Sequence, residues 1–514
     1  MVPSIYSEKK IMELTEEQTS VVETEAPILV VRAFAGKGKT SVLVEFAKRR
    51  SKKRMLYIVF SKQNQKDAEQ KFKGTMVKPT TSHALAFRHT GVQYKDQLIT
   101  GLKPYQVEKA LGIGRELGGE AGYISGDNND RVVASVVLDS LIKFLYSTDK
   151  DITVKHVHEN HKRLEKFFSG MDENAIKQKV VVQTKKLWAK MIDPMDMGIG
   201  MLHDGYLKLY QLSEPDLSEY EYHLIDESQD LNPVTLSIIF RQSGKKVFVG
   251  DSHQAIYGWR GARNALGFAV KQGGVERYLT GSFRFGPNIA RVANRILAIK
   301  GEAIPVQGLA GEDRVGKISE NECKTVINRS NAGVFAQTAR AMDNEESWWH
   351  VGGSIGYRFE QILEIYYMWG RQPELIRDPF IKSFTDFNEL KFYAEEVDDV
   401  EIKSRCKIVE DYRDNIPVII DKINRKVGAA YDMDSAEIVM STSHKSKGLE
   451  FANVQLGDDF IELCEIPDMT KLDAIGKAEE LKKISEELNI LYVAATRAKK
   501  VLQLNFDLAM FLRH

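Results

Sequence analysis

The segment from Ala33 to Thr40 combines small residues, two glycines, a lysine and a threonine, in the order A-F-A-G-K-G-K-T. It follows the apolar run Ile28–Val31, which predicts a buried strand, and it precedes a segment predicted to be a helix. The N–H groups of such a loop point at bound phosphate oxygens, while Lys39 reaches the β- and γ-phosphates and the threonine hydroxyl binds Mg²⁺. Because Ala33 replaces the first glycine of the G-x-x-x-x-G-K-T pattern, a tight turn of small residues is the alternative. The residues predicted to bind a nucleotide here are Ala35, Gly36, Gly38, Lys39 and Thr40.

Acidic residues follow another apolar run, Tyr222–Ile225, in the order D-E-S-Q-D. Alone, Asp-Glu after a strand is a common loop, but together with the phosphate loop it predicts the second half of a hydrolytic site. Asp226 is expected to hold Mg²⁺, usually through water, and Glu227 to polarise the attacking water. A further predicted strand, Lys246–Asp251, leads to Gln254, whose amide could sense a γ-phosphate.

Tyr257, Trp259 and Arg260 lie close together in a glycine-bounded loop that follows the acidic end of this strand. Aromatic rings mixed with a cation are typical of surfaces that stack unpaired nucleic-acid bases. Packing in the core is the alternative for any one of these rings, and their clustering favours the stacking interpretation.

A sheet has to position these groups, because each of them follows a predicted strand. Strands alternate with helices over the first hundred residues, which predicts an α/β fold with parallel sheets and ligands at the carboxyl ends of the strands. Phe60 and His83 fall at such ends. Residues 100–205 are predicted to form a mainly helical insertion, and residues 345–435 an aromatic-rich one.

Composition limits the kind of protein that this chain can be. Its 514 residues exceed what one core usually holds, so about two to four domains are expected. Lys and Arg together number 72, as do Asp and Glu, which excludes a generally basic coat for nucleic acid but not a local basic groove. Three widely spaced cysteines indicate reduced thiols. Without a signal peptide or a run of about 18 apolar residues, the sequence predicts a soluble, intracellular protein with no membrane partner.

Two further clusters have competing interpretations. His156, His158 and His161 form an H-x-H-x-x-H pattern that could bind a metal, but no nearby cysteine or carboxylate array completes a site. The basic run Lys48–Arg54 could be a nuclear-targeting signal, although a solvated helix end with cations near its carboxyl terminus is the simpler interpretation.

Taken together and in order, these segments resemble the superfamily 1A helicases of the UvrD/Rep/PcrA type. The family's phosphate loop also begins with alanine, so Ala33 agrees with the resemblance. The matching residues and segments are Gln18, Ala33–Thr40, Phe60–Lys62, Thr81–His83, Asp226–Asp230, Gly250–Asp251, Gln254, Tyr257–Ala262, Ser282–Arg284, Ser446–Phe451, Tyr492–Val493 and Thr496–Ala498.

The resemblance implies roles for the matched residues around the base and sugar of ATP. Gln18 reads adenine, and Glu450 contacts the ribose. Phe283 stacks on the adenine ring at a position where the family usually has tyrosine, so it keeps the stack without the hydroxyl.

It also implies how the nucleotide is connected to DNA. Gln254 couples the γ-phosphate to DNA, while Arg284 and Arg497 reach the γ-phosphate from a second RecA-like domain. The residues implied to lie along single-stranded DNA are Phe60, His83, Tyr257, Trp259 and His444.

Two RecA-like domains, each with an insertion, follow from the same resemblance. The predicted boundaries are 1–100 and 205–280 for domain 1A, 101–204 for the helical insertion 1B, 281–344 and 436–514 for domain 2A, and 345–435 for the small insertion 2B. The last is much shorter than the regulatory 2B subdomain of UvrD.

A closer likeness, over about residues 14–505, is to the helicase region of the F-box DNA helicases. It is carried by Ala33–Gly36, His203–Leu209 and Ser282–Gly286. No room remains for an F-box ahead of Leu14, so ubiquitin-ligase function is not expected to carry over.

The implied function is an ATP- and Mg²⁺-dependent 3′→5′ helicase or translocase that acts on single-stranded DNA and 3′-tailed duplexes in replication, repair or recombination. It is expected to be a monomer with replication or recombination proteins as partners, in the nucleus of a eukaryote or the cytoplasm or nucleoid of a prokaryote or virus. The short second insertion keeps open a translocase that removes bound proteins and unwinds weakly. A nucleotide-switched interaction module is a third hypothesis, against which Glu227, Arg284 and Arg497 argue. Stacking platforms tolerate either sugar, so RNA also remains open as a substrate.

Overall fold

A computed structural model of the protein describes residues 14–36, 38–59, 61–118, 123–258, 264–378, 380–396, 399–467 and 473–513. Within them the chain forms two six-stranded sheets, the first from strands before residue 280 and the second from strands after residue 313. The predicted α/β class with two RecA-like parallel sheets is confirmed. None of the helices in the described residues is long and apolar enough to cross a membrane.

The first sheet begins with alternating strands and helices. Its opening helix is fixed by a capping box, in which Thr15 and Gln18 each bond the backbone N–H of the other. The elements are α1 (Glu16–Glu23), β1 (Ile28–Ala33), α2 (Lys39–Arg49), β2 (Met55–Val59), α3 (Lys62–Lys71), β3 (Val77–Thr81) and α4 (Ser82–Ala86). Every residue of β2 is buried, as expected for a parallel strand with both faces covered.

A helical segment then interrupts the sheet. Val133, Val137 and Leu141 recur every four residues along one of its two long helices and are buried, which places one helix face in the core. The elements are β4 (Leu98–Ile99), α5 (Pro104–Leu111), α6 (Ile113–Gly118), α7 (Asp127–Leu145), α8 (Glu173–Ile192) and β5 (Met201–Leu202). Strands β4 and β5 pair with each other, so the two ends of the helical segment lie side by side where it joins the first sheet domain.

The first sheet is completed after this segment. Its remaining elements are α9 (His203–Leu212), β6 (Tyr222–Ile225), α10 (Pro233–Phe240), β7 (Lys245–Gly250), α11 (Ala265–Lys271) and β8 (Val275–Leu279). The strand order is β3-β2-β6-β7-β1-β8, with all pairs parallel. The carboxyl ends of β1, β6 and β7, which carry the predicted nucleotide residues, therefore meet at one edge.

The second sheet domain repeats this plan. Before its insertion it contains β9 (Gly281–Ser282), α12 (Pro287–Ile299), β10 (Gln307–Gly308), β11 (Arg314–Val315), β12 (Lys324–Asn328), α13 (Asn331–Asp343) and β13 (Trp348–His350). The helices that follow are α14 (Glu360–Trp369), α15 (Phe387–Glu396), α16 (Val400–Tyr412) and α17 (Ile416–Asn424). The chain ends with β14 (Ile438–Thr442), α18 (Ser443–Ser446), β15 (Phe451–Leu456), α19 (Ala474–Ala495), β16 (Ala498–Gln503) and α20 (Phe506–Phe511).

The strand order of the second sheet is β11-β16-β15-β12-β14-β13. Its edge strand β13 lies within the range predicted for insertion 2B and pairs in parallel with β14. The four domain boundaries themselves stay a prediction.

Candidate nucleotide and nucleic-acid site

The phosphate loop connects β1 to α2 at the carboxyl edge of the first sheet. Gly36 and Gly38 have φ angles of +78° and +66°, a left-handed conformation that glycine adopts without strain. A Cβ on Gly36 would lie 2.4 Å from Ser282 Oγ and 2.7 Å from Arg284 Cβ. The Gly36 carbonyl accepts a hydrogen bond from Phe283 N at 2.9 Å. The loop is therefore held by the segment that enters the second domain.

The predicted catalytic carboxylates lie directly against this loop. Lys39 Nζ lies 2.8 Å from Glu227 Oε1 and donates to Glu227 Oε2 at 2.9 Å. Thr40 Oγ1 donates to Asp226 Oδ2 at 3.4 Å. The structure thus brings together the four residues that the sequence predicts for phosphate, metal and water.

Burial and charge set the protonation of this group. Burial opposes the charge of Lys39, but Glu227, Asp226 and Asp251 outweigh it and raise the lysine pKa. Burial, followed by the charge of Glu227, raises the pKa of Asp226. Burial also opposes ionisation of Glu227, but Lys39 and then Lys447 lower its pKa. Glu227 is therefore held as a carboxylate, the form that a general base requires.

Two side chains for which the sequence predicts no role support these carboxylates. The Tyr57 hydroxyl donates to Asp226 Oδ2 at 2.6 Å. Gln229 Nε2 donates to Glu227 Oε2 at 2.6 Å, and Gln229 Oε1 accepts from Asp251 N at 3.0 Å. Gln229 could have been identified from its position two residues after the predicted base, whereas Tyr57 is one of five buried residues of a strand and gives no such signal.

Gln254 and Arg497 join the two sheet domains beside the carboxylates. Arg497 Nη2 donates to Gln254 Oε1 at 3.4 Å, and Gln254 Nε2 donates to Asp251 Oδ2 at 2.6 Å. Other N–H groups of Arg497 bond two backbone carbonyls of its own domain. Burial, followed by the charge of Arg284, lowers the pKa of Arg497 to about 9, so the guanidinium remains a cation at neutral pH.

Arg284, Phe283 and Glu450 lie at the rim of the same cleft. Arg284 Nε donates to Glu450 Oε2 at 3.1 Å, and its Nη1 donates to the Thr496 carbonyl at 3.1 Å. Phe283, predicted to stack on adenine, is 52% exposed. Gln18, predicted to read adenine, is buried, and its Oε1 is used by the capping box.

The residues predicted to contact DNA come from both domains. His444, in α18, donates from Nε2 to the Ile256 carbonyl at 3.0 Å, and its ring centre lies 5.8 Å from that of Tyr257. Burial, followed by the charge of Arg329, lowers the pKa of His444, which favours the neutral ring. His83 Nε2 lies 3.3 Å from Asp204 Oδ1. Phe60, Trp259 and Arg260 lie outside the described residues.

The three clustered histidines have separate partners. His156 Nε2 lies 2.8 Å from Asp149 Oδ2, and His161 Nε2 lies 2.8 Å from Glu173 Oε1. His158 accepts a hydrogen bond from Asn160 N through its ring. Within the described part of the chain, no group of three or more His, Cys, Asp and Glu side chains could hold a metal ion.

Two family models match the chain, one in each half. Residues 14–272 match the UvrD/REP helicase N-terminal domain, and residues 380–507 match the UvrD-like helicase C-terminal domain. The chain belongs to the UvrD-like helicase family. In this family member, the predicted phosphate loop and both predicted catalytic carboxylates lie in the N-terminal match, while Arg497 lies in the C-terminal one.

Relatives that match nearly the whole of this chain include two F-box DNA helicases. F-box DNA helicase protein 1 of Schizosaccharomyces pombe is 31% identical over 98% of this chain and 59% of the relative. F-box DNA helicase 1 of Gallus gallus is 32% identical over 97% of this chain and 49% of the relative. The ATP-dependent DNA helicase PcrA of Staphylococcus aureus is 24% identical over 80% of this chain and 56% of the relative. The chain thus spans about half to three-fifths of the length of these relatives.

Proposed function

We propose that the chain is an ATP-driven motor that moves 3′→5′ along single-stranded DNA and unwinds 3′-tailed duplexes in replication, repair or recombination. The observation that carries this proposal is a hydrogen-bonded network that spans both sheet domains. It begins at Lys39 and Glu227, passes through Gln229, Asp251 and Gln254, and ends at Arg497. A nucleotide bound there contacts both domains and can control the angle between them.

In the ATP-binding half, Lys39 changes partners. Its ammonium bonds both oxygens of Glu227, so a triphosphate that binds Lys39 displaces this carboxylate. The displaced Glu227 then accepts a proton from the attacking water. Its lowered pKa supports this role, because a base has to be ionised before it can take the proton.

The oxygen atoms around Thr40 fit a hard divalent cation. The Thr40 hydroxyl and the Asp226 carboxylate lie together, and Tyr57 fixes the orientation of that carboxylate. Hydroxyl and carboxylate oxygens are ligands that suit Mg²⁺. Thr40 and Asp226 would therefore hold the ion, which would neutralise charge on the phosphates.

Arg284 and Arg497 supply positive charge from the second domain. Cations aimed at the transferring phosphoryl group stabilise the charge that develops there. ATP therefore favours the closed cleft, and hydrolysis removes the ligand that draws the arginines in, so the cleft opens. Closing and opening of the cleft thus convert hydrolysis into relative motion of the two domains.

Tyr257 and His444 supply the DNA side of this motion. Their rings lie side by side but belong to different sheet domains. A base stacked at this boundary loses or gains one of the two rings when the cleft opens, and stacking on an aromatic ring is worth about 1–3 kcal/mol per base. Each cycle therefore shifts the strand relative to one domain.

Strand displacement tests the proposal. Duplexes with a 3′ or a 5′ single-stranded tail are incubated with Mg-ATP, and we expect unwinding of the 3′-tailed substrate alone and stimulation of ATP hydrolysis by single-stranded DNA. Lys39→Ala is the control and should abolish both activities. Unwinding of only the 5′-tailed substrate would overturn the polarity, and ATP hydrolysis indifferent to DNA would overturn the motor.

Two further arms of the same experiment separate the alternatives. Efficient clearance of a protein filament from single strands, with little unwinding, favours the protein-removing translocase. Stronger stimulation of ATP hydrolysis by an RNA tail than by a DNA tail would identify RNA as the substrate.

A further inference from the structure

Lys447 follows α18 in the second domain, and its side chain enters the first domain. Its Nζ donates to Asp230 Oδ2 at 2.5 Å and to the Gln254 carbonyl at 2.7 Å. The ammonium also lies 4.9 Å from the centre of the Tyr257 ring. The side chains of Lys447 and Asp230 are only 10% and 1% exposed. One ammonium thus contacts three residues of the opposite domain almost without water.

Asp230 ends the turn that carries the catalytic carboxylate. A 3₁₀ turn, Ser228–Asp230, follows Glu227, whose φ of +48° is a strained left-handed conformation for a residue with a side chain. Asp230 N donates to the Glu227 carbonyl at 2.9 Å. Displacement of Asp230 is therefore transmitted to Glu227 through a short, bonded turn.

The other two partners of Lys447 lie between the ATP and DNA sides of the site. Gln254 contacts Arg497 through its side chain and Lys447 through its carbonyl. Tyr257 faces His444 on the proposed DNA path. Lys447 therefore contacts the segments of the first domain through which the two ligands would be coupled.

Asp230 also depends on Lys447 for charge compensation. Its Oδ1 has no hydrogen-bond partner within the described residues. Burial raises the pKa of Asp230 to about 6, against the attraction of Lys447. A buried carboxylate that loses its cation has to be protonated or to reach water. Separation of the domains at this point therefore disturbs the turn that holds Glu227.

We propose that Lys447 is a positioning residue that holds the turn 227–230 in its working geometry only when the two domains are closed. Glu227 is then competent for hydrolysis in the closed state and not in the open one. This inference rests on the proposed function, because it assigns a way in which domain closure controls hydrolysis at the same site. Nothing in the sequence predicts the pair, since Lys447 and Asp230 are separated by 217 positions.

The variant Lys447→Met tests this role, with Lys445→Met as its matched control. Lys445 lies in the same turn, but its Nζ is 3.5 Å from the centre of the Tyr357 ring, away from the first domain. We expect Lys447→Met to lower kcat of DNA-stimulated ATP hydrolysis by about 10- to 100-fold, as misplaced catalytic groups do. KM for ATP should change by less than about twofold, because the phosphate loop is unaltered. Lys445→Met should retain the wild-type kcat.

A double variant distinguishes positioning from fold stability. Asp230→Asn combined with Lys447→Met removes the buried charge that the single variant leaves unpaired, so the melting temperature should recover. A positioning role predicts that kcat stays low in this double variant. Recovery of kcat together with the melting temperature would overturn the inference, and so would a kcat of Lys447→Met equal to that of Lys445→Met. A wild-type chain without DNA-stimulated hydrolysis would instead overturn the proposed function, which keeps the two failures distinct.

Discussion

The two halves of the chain meet at two places that differ in their mixture of interactions. The sheet interface, between the two sheet domains, uses hydrogen bonds and ion pairs, such as Asn489 Nδ2 to the Ala255 carbonyl at 2.8 Å and His253 Nε2 to Glu302 Oε2 at 2.9 Å. The insertion interface, between the two predicted insertions, places cations of the first near phenylalanine rings of the second and also contains a hydrogen bond from Arg131 Nη1 to the Ser383 carbonyl at 3.0 Å. Its pairs are Lys103 with Phe380, Arg131 with Phe384 and Lys166 with Phe392, at 5.8, 5.9 and 5.7 Å from the ring centres.

This difference indicates which interface can act as a switch. Hydrogen bonds weaken steeply with distance and angle, so the sheet interface is lost after a small displacement. A cation about 6 Å from a ring centre is at the outer limit of this interaction, so the three cation–ring contacts constrain the insertion interface less. A cavity of about 270 Å³ between the insertions leaves room for such adjustment. The interface that encloses the ATP site is therefore the one suited to two discrete arrangements.

The largest effect is expected from Arg497→Lys at the sheet interface. Lysine keeps the charge but lacks the planar fork that bonds Gln254 and the backbone carbonyls together. We expect kcat for DNA-stimulated ATP hydrolysis to fall by about 10³-fold, as when other phosphoryl-transfer enzymes lose a catalytic arginine. Nucleotide binding by fluorescence titration is the control, because Lys39 and Thr40 are unchanged. A loss of only a few-fold would argue against a catalytic role.

Acidification is expected to remove the ion pair between Asp230 and Lys447 at the sheet interface. Burial raises its pKa to about 6, above the unfolded value, so ionised Asp230 costs stability above that pH and the cost disappears as pH falls. Activity responds in the opposite direction, because protonation removes the charge that Lys447 contacts. The kcat of the wild type should decline as pH falls through about 6. Asp230→Asn should have a lower kcat at neutral pH and lack this step, and the same step in both profiles would refute the assignment.

A smaller effect is expected from Lys103→Met at the insertion interface. This substitution repeats Lys447→Met in chemistry but removes only an exposed cation–ring contact. Stability should fall by no more than about 1 kcal/mol, measured by denaturant titration. The kcat should remain within about twofold of the wild-type value, since no hydrogen bond to the ATP site is lost. A tenfold loss would mean that the insertion interface also takes part in the cycle.

The smallest effect is expected outside both interfaces, from Lys53→Gln. Lys53 and Glu221 form an ion pair at 2.6 Å with side chains 49% and 47% exposed. Water and salt screen such a pair, so neither the denaturation midpoint nor kcat should change measurably. A clear shift in either would show that even an exposed ion pair affects the measurement, so small changes in the other three variants could not be assigned to the interfaces.

The nucleotide half of the site could be predicted because its residues are local in sequence. Lys39 and Thr40 follow one strand directly, and Asp226 and Glu227 follow another. In a parallel sheet, the carboxyl ends of the strands meet at one edge, so the sequence alone predicts that these groups lie close together. The same alternation of strands and helices predicted the fold class.

Contacts between the domains could not be predicted in this way. The pairing of Lys447 with Asp230 depends on the angle between two sheets, which no local pattern encodes. Nearness in sequence also misleads, because the basic run Lys48–Arg54 is largely neutralised by distant acids, as in Arg49 with Glu23 and Lys53 with Glu221. A surface charge therefore has to be judged with its partners in place.

The contact between Gly36 and the segment 281–284 bears on how the protein can be divided. Phe283 N donates to the Gly36 carbonyl, and the side chains of Ser282 and Arg284 leave no space for a Cβ at Gly36. The two halves match separate family models, yet residues 282–284, which follow the predicted domain boundary, form one side of the loop at Gly36. A fragment that ends before Gly281 keeps every residue of the loop and loses that side. Exchange of the first half between relatives therefore has to carry residues 281–284 with it.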